Sequence, residues 1–481
     1  MGAGTHRDRC NLPVRRSAPK RCLWLASRAR GRQLREPGQV PTQPNRTADF
    51  ADLLRVFARI GCLSFGGPAA QIALMHSEVV DRLGWVREQE YLHALNFCHL
   101  LPGPEAQQLA TWIGWRLHGL KGGLAAGLLF VLPGALLMLA LSTLYALAAN
   151  LDWFSAAFLG VKAAVLAIVV QALIRIAGRA LDTRFKQGLA ISAFLALFLF
   201  DLPFPAVVLG AGALGMIVAA WRPGWLALKP VSGDAPAAAP TWRAMGRTAL
   251  AWGAVWALPL ALVLATLGQS HVLWDIGLFF SQLAIVTFGG AYAVLAYMAQ
   301  EAVQTFGWLQ PGEMADGLGL AETTPGPLIL VTQHVGFLAA FRSPEPFSPI
   351  TAGILGAALT TWVTFAPCFL WIFTFAPWID RLQHATRFKG GLAALTAAVV
   401  GVIANLSVWF ALHVLFARVT PTAVGPLRVQ LPELASFDAR AGLLSLAAVF
   451  ILFRLRWSIP RTLAVLVLAG LALAWIPLGS A

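Results

Sequence analysis

Ser64-Phe65-Gly66-Gly67-Pro68 and Leu101-Pro102-Gly103-Pro104 interrupt two apolar runs, and both return later as Thr287-Phe288-Gly289-Gly290 and Thr324-Pro325-Gly326-Pro327. The copies share one register, since 287 − 64 and 325 − 102 both equal 223. At that offset Glu78 maps to Glu301 and Gly84-Trp85 maps to Gly307-Trp308. Four short matches in one register identify an internal duplication. Further on the register drifts, as an insertion requires, and Gly160-Val-Lys-Ala-Ala resembles Gly390-Gly-Leu-Ala-Ala.

The surrounding composition states where such a chain lives. Of 481 residues, 58% are hydrophobic and 12% charged, and the mean hydropathy is +0.69. A soluble domain carries about 25% charged residues, so this chain cannot cover a water-facing surface, and a soluble enzyme is excluded. The expected fold is an all-α polytopic membrane protein. The net charge, 36 − 22 = +14, reads as membrane topology rather than as a nucleic-acid surface. The five cysteines, Cys10, Cys22, Cys62, Cys98 and Cys368, form no CxxC pair, which argues against a disulfide framework or thiolate metal site.

Apolar runs near the length of a bilayer crossing fall at 53–75, 91–115, 122–149, 153–174, 187–200, 204–221, 248–267, 273–298, 315–340, 350–378, 390–417, 441–453 and 462–478. The count is thirteen, with the first two left open between crossing and re-entrant. Residues 1–48 form a basic, disordered arm. Residues 49–221 are the first repeat, 222–247 a cytoplasmic linker rich in Pro and Ala, and 248–481 the second repeat with an extra leading helix. That odd helix starts the second repeat from the opposite face, so the repeats are inverted, as in many secondary transporters. Arg116, Lys121, Arg175, Arg179, Arg184, Lys186, Arg387 and Arg454 then fall inside, and Asp152, Asp201 and Asp275 outside, with the N-terminus cytoplasmic and the C-terminus periplasmic. Two loops break the rule: the inside loop with Glu301 and Glu313 has no basic residue, and the outside loop 418–440 holds Arg418, Arg428 and Arg440.

The interruptions are where chemistry is expected. Proline removes a backbone donor and clashes with the preceding turn. In lipid, a broken helix survives only where protein or a wet cavity satisfies its backbone. Breaks at matching places in two halves point to a transport site, and half-helix N-termini there favour a compact oxyanion. The expected cradle is Gly66, Gly67, Pro68, Pro102, Gly103, Pro104, Gly289, Gly290, Pro325, Gly326 and Pro327, with Gln107 and Gln108 as neutral donors. Lys162 lies at mid-bilayer, where a charge costs at least about 3 kcal/mol and usually faces a cavity. It is expected to partner the anion, against a structural pairing with a buried acid such as Glu105. Arg55 and Arg59 are vestibule candidates, and Glu105 and Glu322 are coupling candidates. Thr324, Gln333, His99 and His334 are weaker polar candidates beside the breaks. GxxxxGK[ST], HExxH and a Ser-His-Asp spacing are all absent, so neither an enzyme nor a metal or cofactor is expected.

Phe57-Ala-Arg-Ile-Gly-Cys-Leu-Ser-Phe-Gly-Gly-Pro68, Leu101-Pro-Gly-Pro-Glu-Ala-Gln-Gln108, Thr324-Pro-Gly-Pro327 and Ala404-Asn-Leu-Ser-Val-Trp-Phe410 together resemble the chromate ion transporter family in its long, two-domain form, over roughly 50–417. The second copy reads Phe-Gly-Gly-Ala291, where many relatives carry a third Gly. The resemblance implies a prokaryotic inner-membrane carrier that exports chromate and confers resistance. Its partners would be chromate or a related oxyanion and the bilayer, not nucleic acid, with a homodimer left open. Moving a dianion out of an inside-negative cell gains about 4.6 kcal/mol per 100 mV, so export needs no ATP. A carrier for another oxyanion such as sulfate, and a non-transport membrane enzyme or scaffold, are the alternatives.

Overall fold

The computed structural model describes residues 48–148, 151–228, 241–288, 291–379, 385–425 and 427–474. The basic arm, Gly289, Gly290 and most of the linker lie outside them.

Each repeat opens with two helical hairpins. In the first repeat α1 (Phe50–Leu63) ends at the Phe-Gly-Gly break. Gly66 and Gly67 both have positive φ, 88° and 77°, a backbone that side chains resist, and α2 (Gly67–His76) starts in a new direction. The chain turns back there, so that Arg59 stands 3.9 Å from Glu78. A π-helical turn, Ser77–Arg82, leads into α3 (Glu88–Cys98). After the Pro-Gly-Pro break comes α4 (Glu105–Ala148), which bends at His118 and Gly119. Its first segment folds back along α3, closed at the open end by Arg116 and Glu90, 3.5 Å apart. Its second segment runs on across the membrane, followed by α5 (Asp152–Ala180), α6 (Arg184–Phe200) and α7 (Phe204–Trp221).

The second repeat restates this design. α9 (Val272–Val286) and α10 (Ala291–Gln300) form the first hairpin, with Phe279 packed on Tyr297, Phe306 and Trp308. A π-helical turn, Glu301–Thr305, follows, in register with the one in the first repeat. α11 (Pro311–Thr323) and α12 (Val331–Arg342) form the second hairpin, closed by Arg342 on Glu313 at 2.5 Å. The through-going helices are α13 (Pro349–Phe375), α14 (Thr386–Leu415), α15 (Ala439–Val449) and α16 (Ile459–Ala474). Between α14 and α15 lies an antiparallel hairpin of β1 (Val419–Val424) and β2 (Leu427–Pro432).

Between the repeats lies α8 (Trp242–Thr266), which contains no buried residue. It is strapped to α13 by reciprocal indole bonds, Trp256 to the Val363 carbonyl and Trp362 to the Val255 carbonyl, at 3.1 and 3.2 Å.

Six of these helices are long and apolar enough to cross a membrane on that ground alone. They include the second segment of α4, and also α5, α7, α8, α13 and α14. α6, α15 and α16 are shorter. Among the described residues, four of the thirteen apolar segments, 53–75, 91–115, 273–298 and 315–340, are helical hairpins, and the other nine are single helices. The chain is an all-α polytopic membrane protein with one small β-hairpin.

The turning back moves two loops. Residues 77–87 lie at the Arg116 and Lys121 end of the molecule. Residues 301–310 lie at the Asp201 end, where Gln300 donates to Asp201 at 2.9 Å. The acidic loop with Glu301 and Glu313, expected inside, therefore sits with the other acids. The basic residues of the 418–440 loop stay at that end but are met by acids. Arg428 lies 3.9 Å from Asp201, and Arg418 lies 3.4 Å from Glu433.

Candidate functional site

The four breaks meet between the repeats, and each Pro-Gly-Pro bonds to the opposite break. The Gly103 amide donates to the Thr287 carbonyl at 2.7 Å, and the Gly326 amide donates to the Ser64 carbonyl at 2.9 Å. Gly103 and Gly326 have φ of 114° and 94°, so both bonds depend on backbone that glycine alone adopts freely. Gln71 adds a clamp by donating to the carbonyls of Gly326 and Ser64, at 2.5 and 3.3 Å. Gln108 closes its own break by donating to the Pro102 carbonyl at 2.6 Å. Behind each Pro-Gly-Pro stands a proline-marked point of a crossing helix. Gly134, beside Pro133 on α4, packs on Pro325 and Leu330, and Cys368, beside Pro367 on α13, packs on Gly103.

α6, α8, α13 and α15 begin on capping side chains, Thr183, Thr241, Ser348 and Asp438. α12 is led in by a 3-10 turn, Leu328–Leu330, whose carbonyls already meet the Val331 amide, whereas α2 begins at its break with no side-chain cap, so its first-turn amides are left to the centre. A cavity of about 10 Å³ lies there, lined by Pro68 and Gln71, by Glu105 and Ala106, and by Leu328 and Ile329 among others. That volume holds roughly one water.

This arrangement changes which donors face the centre. The five prolines of the expected cradle have no N–H, and the Gly103 and Gly326 amides are spent on the opposite repeat. The amides left over belong to the first turns after the breaks. Gln107 donates to Thr111 within its own helix at 3.4 Å. Arg55 pairs with Asp52, and Arg59 with Glu78, on the exposed open end of the first hairpin. Glu105 is buried, 3.7 Å from His99, and Glu322 is buried at the end of α11. Gln333 donates to the Ala135 carbonyl at 2.9 Å, bracing α12 on α4.

Lys162 stands apart from the break cavity, in a second polar cluster. Its Nζ lies 3.6 Å from Oδ2 of Asp316, an acid that sequence reasoning missed, rather than near Glu105. The same oxygen accepts the Tyr145 hydroxyl at 2.8 Å. The Tyr145 ring meets His334 edge-on, 5.1 Å between centroids, and His334 Nδ1 lies 2.9 Å from Ser142 Oγ. Asp316 sits on α11, nine residues before Pro325, which is about 13 Å of helix rise. A third feature, a cavity of about 500 Å³, opens at the Asp201 end beneath the β-hairpin, with Asn405, Trp409, His413 and Arg428 in its wall.

A family model described as chromate transporter matches residues 51–216 and 274–475. The chain belongs to the chromate transporter family. The two matched regions contain the two repeats and leave out α8, so the family's unit is the pair of hairpins with the helices behind them. A chromate transport protein of Pseudomonas aeruginosa is 33% identical over 386 residues, covering 78% of this chain and 84% of that protein. A chromate transport protein of Cupriavidus metallidurans is 28% identical over 367 residues, 76% and 83% of the two chains. A probable chromate transport protein of Synechococcus elongatus is 28% identical over 359 residues, 73% and 82%. No solved structure matches. As a member of the chromate transporter family the chain is a transporter rather than an enzyme.

Proposed function

We propose that this chain is a secondary carrier that exports chromate across the inner membrane of a prokaryote and thereby confers chromate resistance. The observation that carries the reading is the reciprocal junction of four broken helices between inverted halves. It brings the first turns of α2 and α4 to one point, and helix N-termini favour an oxyanion with several acceptor oxygens. The cavity there is too small for a five-atom anion, so loading requires the halves to part and the Gly103 and Gly326 bonds to yield. Rocking of one repeat against the other supplies that movement.

The end bearing Arg116, Lys121, Arg175, Arg179 and Arg184 is read as cytoplasmic, with the N-terminus inside, the C-terminus outside and the 500 Å³ cavity as the outer mouth. The outward gain of about 4.6 kcal/mol per 100 mV for a dianion supports export. Lys162 is assigned as the charge the anion meets, released from Asp316 when it does. The test is accumulation of radiolabelled chromate in energised everted vesicles, with an empty vector, Lys162→Ala and excess sulfate alongside. Uptake that Lys162→Ala abolishes supports the reading. Normal uptake by Lys162→Ala removes the lysine from it. Uptake no greater than the empty vector refutes chromate export, and suppression by sulfate assigns a broader oxyanion site.

A further inference from the structure

We propose that Asp316 is the proton site of this carrier: it yields Lys162 to the anion by taking up one proton, so each anion crosses with one proton in the same direction. The proposal rests on the export reading above and adds the co-transported ion.

The geometry of the pair is lopsided. Oδ2 of Asp316 carries both partners, Lys162 at 3.6 Å and the Tyr145 hydroxyl at 2.8 Å. Oδ1 is buried with no hydrogen-bond partner. The Asp316 side chain is 4% exposed and that of Lys162 27%, so of the two groups the ammonium is the more open. A buried carboxylate is tolerated while it is paired and becomes costly once its partner is removed. A dianion that docks on Lys162 removes that partner. The carboxyl then takes a proton from the water on the loading side. When the anion leaves on the far side, Lys162 returns to Asp316 and the proton departs there. No bond other than O–H forms or breaks, and the charge moved per cycle is −2 + 1 = −1.

The groups around Asp316 agree with this division of work. Tyr145 comes from α4, Lys162 from α5, His334 and Arg342 from α12, and Glu313 from α11 itself. Arg342 is held by Glu313 through both guanidinium nitrogens and does not replace Lys162. The other helices touching α11 are α14 and α16, whose titratable residues, Arg387, Lys389, His413 and Arg461, lie near their ends. In the first repeat the position of Asp316 is held by His93, as 316 − 223 = 93, so the buried carboxylate belongs to one half only.

The experiment uses the full chain in everted vesicles with radiolabelled chromate. Potassium and valinomycin hold the potential at zero, both sides are alkaline enough to keep the anion divalent, and the lumen is more alkaline by about one unit. Coupling to one proton predicts about tenfold accumulation from that gradient alone, because one pH unit is a tenfold proton ratio. Asp316→Asn, with its side chain fixed in the neutral form, is expected to exchange labelled for unlabelled chromate and to lose the pH-driven accumulation. Tyr145→Phe removes the donor from the carboxylate, and is expected to move the alkaline limb of the exchange profile to higher pH.

Wild type that responds to potential but not to the pH gradient overturns the proton site and leaves export standing. Wild type that responds to neither refutes export itself. Asp316→Asn that accumulates like wild type overturns the assignment to Asp316. Should Asp316→Asn fail to reach the membrane, an unmoved profile in Tyr145→Phe overturns it instead.

Discussion

Gly134→Ala sets two effects against each other, and the structure decides the sign. Gly134 lies inside a helix, where alanine is ordinarily favoured by about 1 kcal/mol. A methyl there would come within 2.7 Å of a Leu330 methyl and 3.1 Å of the Pro325 carbonyl carbon, and closer still to the carbonyl oxygen. Carbon contacts are comfortable at roughly 3.5–4.0 Å, so the break must retreat by close to ~1 Å. Overpacking of this kind costs about 1–3 kcal/mol. The retreat also strains the Gly326-to-Ser64 bond of 2.9 Å, worth about 1 kcal/mol if lost. The balance is a net loss of about 1–3 kcal/mol, at the junction the two repeats share. Thermal inactivation in detergent and chromate flux in everted vesicles would both be read, with Gly253→Ala as control. A methyl on Gly253 in α8 meets nothing within 4 Å, so that variant should match or slightly exceed wild type. Gly134→Ala that tolerates heat as well as Gly253→Ala, with full flux, would refute the argument that this close approach holds the junction.

Gln71→Leu keeps the volume but removes both donors to Ser64 and Gly326. It should cost about 1–3 kcal/mol, chiefly for the Gly326 carbonyl left dry, since the Ser64 carbonyl still accepts the Gly326 amide. Lower thermal stability is the readout, and Gln71→Glu, whose neutral carboxyl has one donor in place of two, should lose less. Glu313→Gln weakens the closing pair with Arg342, which is partly exposed, so a loss of no more than about 1 kcal/mol is expected, and equal inactivation curves for the variant and wild type would be unsurprising only in high salt. Cysteine labelling separates nine crossings from thirteen. A probe at Arg82→Cys should react from the cytoplasmic face and one at Gln304→Cys from the outer face, and the reverse pattern would restore the hairpins to full crossings.

The breaks were legible because glycine and proline stop a helix whatever surrounds them, and the shared offset of 223 showed that they come in two sets. The direction of the chain after each break was not. An apolar run of twenty residues looks the same whether it crosses once or enters and returns, and here Gly66 and Gly67 turn it round through backbone angles that no hydropathy window records. The clue present is the acidic loop at Glu301 and Glu313, which breaks the charge rule as an inside loop and lies at the Asp201 end of the molecule. Asp316 escaped notice because it lies at the edge of an apolar, glycine-rich segment and has His93, not an acid, as its repeat mate. Gln71 escaped because its importance comes from carbonyls far away in sequence. The strand pair at Val419–Val424 and Leu427–Pro432 shows some polar alternation, but Pro421 weakened it as a strand signal.

The reciprocal bonds between the breaks also constrain how the molecule is made. Synthesis inserts the first half well before residue 326 has left the ribosome. Until then the Gly103 amide has no partner and the Ser64 carbonyl has only Gln71, in surroundings where an unmet backbone group costs several kcal/mol. The early half must therefore wait unfinished, its hairpins shallow or shielded, and maturation is completed by the late half docking upside down against it. The two halves behave as chaperone and client of one another, and a chain severed between them should assemble only when both pieces are born into the same membrane.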